Sequence, residues 1–164
     1  MLTEWRPIRD FPGYSVSDTG LVRNDEADRI MAMLVNQAGV VNVGLTRNRT
    51  QYKRAVALLV AKAFLEKPKI EIFDCAINLD GDRFNNHADN LAWRPRWFAT
   101  KYFQQFQHDH FDIHFPVEEM DIQEKFDSPW EAAIRFGLLQ VDVMLSALNQ
   151  VSVWPTMQRF RLIG

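Results

Sequence analysis

Apolar and polar positions repeat at two different periods along this chain, and the change of period divides it. Val41, Val43 and Leu45 alternate with Asn42 and Gly44, the two-residue repeat of a strand with one buried face. Shorter β-type runs at 21–23, 31–35 and 51–54 lie between turn signals: Phe11-Pro12-Gly13-Tyr14, Asp18-Thr19-Gly20, Asn36-Gln37-Ala38-Gly39 and Arg47-Asn48-Arg49. The first third therefore reads as a small antiparallel sheet. From 55 to 65 the period becomes helical, through Val56, Leu59, Val60, Ala63 and Phe64, and Pro68 follows as a stop signal. Residues 73–79 form a short apolar run, Asp80-Gly81-Asp82 forces a turn, and Asn85 or Asn86 is expected to cap a helix reaching about Trp93. Ser128-Pro129-Trp130-Glu131 has the residues of a helix start, with Ser128 as N-cap and Glu131 completing a capping box. That helix is expected to end at Gly137, and a second to span 140–148, a helix-turn-helix candidate.

Composition alters this picture little; charge distribution alters it more. Hydrophobic residues make up 47% of the 164 and charged residues 24%, as in ordinary globular proteins. One cysteine, Cys75, excludes an internal disulfide framework and a cysteine-rich zinc site, and a cytoplasmic setting in a bacterial host is expected. No run approaches the roughly 20 apolar residues of a membrane span, so no membrane partner is expected. The net charge of −2 hides a segregation. Residues 44–70 hold Arg47, Arg49, Lys53, Arg54, Lys62, Lys67 and Lys69 against Glu66, while 109–127 hold acids against Lys125 alone. Such a chain can offer a phosphate-facing surface despite its slightly acidic total.

Three segments, in order, resemble the HNH homing endonucleases of phages and mobile introns. Trp5, Gly13, Tyr14, Ser17, Gly20, Val22 and Arg23 are spaced like the short motif that often precedes the nuclease core of these proteins. Residues 56–64 resemble the first core helix, and 79–86 with 89–93 (Leu-Asp-Gly-Asp-Arg-Phe-Asn-Asn, then Asp-Asn-Leu-Ala-Trp) resemble the ββα-metal finger. Residues 128–161 resemble the helix-turn-helix module that follows the core. The implied fold class is α+β: a small antiparallel sheet with a degenerate ββα-metal finger, then a helical helix-turn-helix-like module. The implied organisation is an HNH-like DNA-binding domain over 1–100, with the N-terminal motif at 1–25 and the core at 54–93. A connector over 101–127 and the helical module over 128–164 complete it.

What the resemblance implies about chemistry is mostly loss. In the family a histidine serves as general base directly before the hydrophobic-Asp-Gly turn; here that position is Asn78, whose amide takes no proton near neutral pH. Losing a positioned base costs about 10² to 10⁴ in rate. The preceding position, which carries oxygen for the divalent ion, is Ile77, and a histidine common in the preceding helix corresponds to Ala57. Asn90 alone is retained. The expectation is a chain that is not an enzyme, with no cofactor and no metal. It would be a sequence-selective binder of double-stranded DNA acting as a phage or satellite repressor. Arg23, Arg47, Arg49, Lys53 and Arg54 are the expected DNA contacts, extended by Arg94, Arg96 and Lys101. The second tail helix lacks basic residues and offers base edges only Gln140, Ser146 and Asn149. It would instead suit a homodimer through the C-terminal helices.

Two alternatives stay open: a protein-interaction module inhibiting a host polymerase or nuclease, prompted by the acids between 118 and 124, and a nickase with rearranged ligands. The cluster His108-Asp109-His110-Phe111-Asp112-Ile113-His114 has the ligand types of a metal site but reads better as a polar, partly exposed strand or loop. The aromatics Trp93, Trp97, Phe98, Tyr102, Phe103 and Phe106 could stack on bases, although their near-helical spacing suits a core.

Overall fold

A computed structural model describes residues 2–107 and 114–164. The histidine cluster lies almost wholly outside the described residues; of it only His114 is described, and it is exposed. The chain divides into two compact units, Met1–Pro95 and Arg96–Gly164.

The first unit opens with a four-stranded antiparallel sheet, β1 (Trp5–Pro7), β2 (Tyr14–Ser17), β3 (Val22–Asn24) and β4 (Arg29–Ile30), in sequence order. A three-stranded antiparallel sheet follows: β5 (Met33–Val35), β6 (Val41–Arg47) and β7 (Thr50–Ala55). The expected alternation holds, with Val41, Val43 and Leu45 buried and Thr46 exposed. Their buried faces meet α1 (Val56–Phe64) in one core that includes Val16, Val22, Val43, Leu45, Val56 and Val60.

After α1 the hairpin of β8 (Cys75–Asn78) and β9 (Leu91–Arg94) frames the finger. Here the expected helix to Trp93 does not form. Only a single 3-10 turn, Ala88–Asn90, precedes β9, because Leu91 and Ala92 pair with Asn78 and Ile77 in an antiparallel ladder. Asn85 and Asn86 spend their amides inside the finger instead of capping a helix.

The second unit begins with α2 (Arg96–Gln104). Its sheet, ordered β11-β10-β12, joins β10 (Val117–Glu119), β11 (Lys125–Phe126) and β12 (Phe160–Leu162). Between β11 and β12 lie α3 (Pro129–Phe136) and α4 (Gln140–Asn149). Most signals read for α3 operate, although Glu131 bonds the amide before the N-cap and not that of Ser128 itself. Ser128 Oγ accepts the Glu131 amide, Glu131 Oε2 accepts the Asp127 amide, and Gly137 closes the helix at φ 65°. Val117, Ala132, Leu138, Val143, Val153 and Phe160 form the core. The described chain is thus an α+β molecule of small antiparallel sheets and four helices.

Candidate nucleic-acid interface

The β6–β7 hairpin concentrates the basic residues that the sequence singled out. Arg47 pairs with Thr50, leaving a two-residue loop, and both loop residues are left-handed: Asn48 at φ 51° and Arg49 at φ 65°. A two-residue loop with positive φ at both positions matches the twist of the flanking strands, and glycine is usual at the second. Here an arginine takes that position, so the chain accepts backbone strain to put a cation at the tip.

The register sorts the remaining side chains by face. Tyr52 stands opposite Leu45 and Arg54 opposite Val43, so Tyr52, Arg54 and Arg47 belong to the face that turns inward. Both guanidinium groups come to rest over Phe11 and Tyr52, at 5.1–5.2 Å from the ring centroids. Each such contact contributes about 0.5–1 kcal/mol at an exposed site and holds the charge in place. Arg47 also donates to the Asp10 carbonyl at 3.0 Å, and Arg54 to the Lys53 carbonyl at 2.9 Å. The opposite face of the sheet carries Asn42, Gly44, Thr46, Gln51 and Lys53. It is polar on β6 and β7, with the exposed Leu34 of β5 beside Asn42, and Gly44 keeps it flat: a Cβ there would come within 2.7 Å of the Gln51 amide nitrogen. Asn42, Thr46 and Gln51 were missed in the sequence, although the two-residue repeat that buries Val41, Val43 and Leu45 also assigns Asn42 and Thr46 to this face.

The other expected DNA contacts fare differently. Arg23 is half-buried, stacked over Trp5 at 4.6 Å and tied to Asp25 at 3.1 Å. Arg49 and Lys53 are exposed. Arg94 corrects its expectation: it is 7% exposed and donates to the Trp93 carbonyl at 2.7 Å, so it adds nothing to an outer basic surface. Its position on β9, paired with Cys75, turns it inward. In the second unit Arg96 and Lys101 are exposed, Lys101 lying over the Trp97 ring. Gln140 is half-buried and its amide is bonded to Gln105, whereas Asn149 is exposed. Of the aromatics in α2, Phe98, Tyr102 and Phe103 are buried, while Trp97 stacks on Trp154.

The finger gathers its polar residues into a closed network. Asn78, 3% exposed, donates to the Asn85 carbonyl at 2.8 Å and to Asn86 Oδ1 at 2.9 Å. Asn90 donates to the same Asn85 carbonyl and to Asp80 Oδ1. Asp80 Oδ1 also accepts the Asp82 amide, and Oδ2 accepts from Asn85. Gly20 lets the N-terminal sheet approach this network, since a Cβ there would sit 3.0 Å from the Asn86 side chain. Burial holds the Arg83 guanidinium below its ordinary range, with the Cys75 thiol acting in the opposite sense.

A divalent ion of the kind such fingers hold does not fit these residues. Ile77 is fully buried hydrocarbon, both Asp80 oxygens already accept N–H groups, and no set of three acids, histidines or cysteines is placed to hold a metal among the described residues. Ala57 lies half-buried on α1.

Of the acidic stretch read as a partner surface, Glu118 and Glu119 turn inward while Asp121, Ile122 and Gln123 are exposed. Glu118 bonds Arg161, and Glu119, 1% exposed, accepts the amides of Asp121 and Ile122. Among the described residues no helix is long and apolar enough to cross a membrane.

Known proteins resemble the chain in sequence and in fold. Residues 4–46 match the NUMOD4 motif. Two proteins of Acanthamoeba polyphaga mimivirus, each named as an uncharacterized HNH endonuclease, are similar to the chain. One is 31% identical over 93 residues, covering 57% of this chain and 27% of the relative. The other is 27% identical over 113 residues, covering 68% and 28%. The chain therefore spans little more than a quarter of the length of these relatives. Among solved structures, the HNH homing endonuclease I-HmuI, described in terms of DNA binding and cleavage, shares the fold with a TM-score of 0.55 at 21% identity over 98% of both chains. These findings overturn the expectation that the chain is not an enzyme, because the relatives are named endonucleases and the structural neighbour cleaves DNA. In sequence and in fold, the chain is similar to the HNH endonucleases and carries a NUMOD4 motif near its N-terminus.

Proposed function

We propose that this chain is an HNH endonuclease-like protein that binds double-stranded DNA sequence-selectively, through the tip and outer face of the β6–β7 hairpin. The observation that carries the reading is the division of labour in that hairpin. Arg49 stands exposed at the tip, Lys53 is exposed on the outer face and exposed Arg47 is steadied over Phe11 and Tyr52 at the hairpin's end, placing cations for phosphates. Asn42, Thr46, Gln51 and Lys53 share a flat outer face, and amides, hydroxyls and ammonium groups are what base edges recognise. A two-stranded ribbon fits the major groove.

The names of the relatives extend the reading towards strand cleavage. Cleavage by this chain would draw its proton acceptor from a group other than Asn78, since an amide cannot take a proton from water. Regulation of transcription rests on the same binding.

Anisotropy titration of a random 40-base-pair duplex pool across salt concentrations tests the proposal. Affinity should fall steeply as counterion release weakens, with a log–log slope of about −0.9 for each phosphate neutralised. A flat response overturns it. Supercoiled plasmid incubated with magnesium or manganese then separates the chemistry from the binding: nicking assigns cleavage to the chain, and intact plasmid with binding retained leaves binding as the activity.

A further inference from the structure

The finger invests many hydrogen bonds in a loop that exposes an aromatic ring. Phe84 is 68% exposed, the most exposed aromatic residue described, and its ring stacks on no other ring among the described residues. Its backbone is anything but loose. The Phe84 amide donates to Asp82 Oδ1 at 2.9 Å, and its carbonyl accepts the Asn86 amide at 3.1 Å. The next carbonyl, of Asn85, accepts side-chain amides from both Asn78 and Asn90, each at 2.8 Å. Asp82 is itself anchored through Asp80. Asn78 is 3% exposed and Asn86 4%, so the clamp beneath the loop is buried.

An isolated apolar side chain on a loose surface loop needs no explanation. Phe84 differs because its pedestal is fixed. Exposed aromatic area is a cost in water, and ordering the loop in advance lowers the entropy lost when the ring meets a partner. Flat rings and apolar wedges enter the base stack readily, since every base pair presents a π-face to each neighbour. The charges beside the ring are mixed, with Arg83 preceding it and the exposed Asp80 and Asp82 spending carboxylate oxygens on the loop's own N–H groups, while Asn85 and Asn86 turn their amides inward.

We propose that Phe84 is a wedge that enters between adjacent base pairs of bound duplex DNA, unstacking one step and bending the helix at the finger. The inference rests on the DNA-binding reading above and adds to it a deformation made by the finger. The buried amide clamp of Asn78, Asn85, Asn86 and Asn90 then serves to hold the wedge rigid against the resistance of the stack.

The test measures energy transfer between dyes at the two ends of 40-base-pair duplexes recovered from a random pool by the wild-type protein, with EDTA present so that no cleavage intervenes. Wild-type protein should shorten the end-to-end distance, as expected for a bend of about 20–90°. Phe84→Ala should bind about tenfold more weakly and leave the duplex straight, with its salt slope unchanged because no charge has been removed. Phe84→Leu, an apolar wedge of another shape, should keep most of the bend. A wild-type complex with a straight duplex overturns the wedge, and so does Phe84→Ala bending DNA as well as the wild type. If the pool yields no bound duplex, the DNA-binding reading itself fails, and the two failures are thereby told apart.

Discussion

The β6–β7 hairpin and helix α4 occupy comparable places in their units, each the element expected to meet DNA, yet their surfaces have opposite chemistry. The hairpin presents Arg47, Arg49 and Lys53, the first fixed over aromatic rings. Helix α4 presents Val141, Leu145 and Leu148 to solvent at 56%, 47% and 59% exposure, with no basic residue among them. Three side chains at positions i, i+4 and i+7 form a stripe. A phosphate backbone rewards the first surface through counterion release and gives the second nothing. Secondary structure alone would have favoured α4, because a helix after a glycine turn resembles a recognition helix. The charges favour the hairpin.

The largest expected effect would break this contrast at the hairpin. Arg49→Ala with Lys53→Ala should lower duplex affinity about 10- to 100-fold and reduce the log–log salt slope by about two. Anisotropy at several salt concentrations measures both, and an unchanged slope would move the phosphate contacts elsewhere. Next comes the finger. Asn78→Ala removes the donor to Asn86 Oδ1, a buried acceptor, and should cost about 1–3 kcal/mol, read as a lower urea midpoint. Ser128→Ala removes the N-cap of α3, which holds α4 in place through the Gly137 turn, and should cost about 1 kcal/mol by the same measurement.

Smaller effects sharpen the picture of α4. Leu145→Glu and Leu148→Glu should each change stability by less than about 0.5 kcal/mol if the stripe meets only water. A larger loss, or a dimer that becomes a monomer in light scattering, would assign the stripe to a second copy of the chain. The smallest effect concerns Asp142 on the same helix. Burial raises its carboxyl pKa above the ordinary aspartate value, and Lys101 partly offsets this. A raised folded-state pKa means that the folded chain holds the proton more tightly than the unfolded one. Its stabilising contribution is therefore present below the unfolded value and is lost as pH rises through the folded one. Asp142→Asn should flatten the fall in thermal stability that sets in as pH rises past the ordinary aspartate value, read in melts across pH.

Some of this was legible in the linear chain because the signal was local. The strand at 41–45 announced itself by alternation, α1 by a helical repeat, and α3 by Ser128, Pro129, Glu131 and Gly137, whose capping contacts span only a few residues. The short sheet of β10, β11 and β12 was not legible. Its strands are two or three residues long, and β12 pairs with β10 from some forty residues away. The acids Glu118 and Glu119 looked like a solvated face because nothing nearby in sequence reveals Arg161 or the turn amides that bond them. Arg94 misled in the same way, since a cation read as surface is in fact inward-facing on a ladder strand.

By itself, then, the sequence determined the elements whose instructions lie within one turn or one strand, together with the residue types at the finger, Ile77 and Asn78 among them. Tertiary structure alone decided what those residues do. Asn78 became a buried donor because Asn85 and Asn86 fold back onto it, and Arg47 and Arg54 became fixed charges because Phe11, far away in the chain, lies beneath them. The physical reason is the range of the forces. Caps and periodicity act between neighbours, whereas burial, hydrogen-bond partners and charge placement depend on which distant segments the chain brings together.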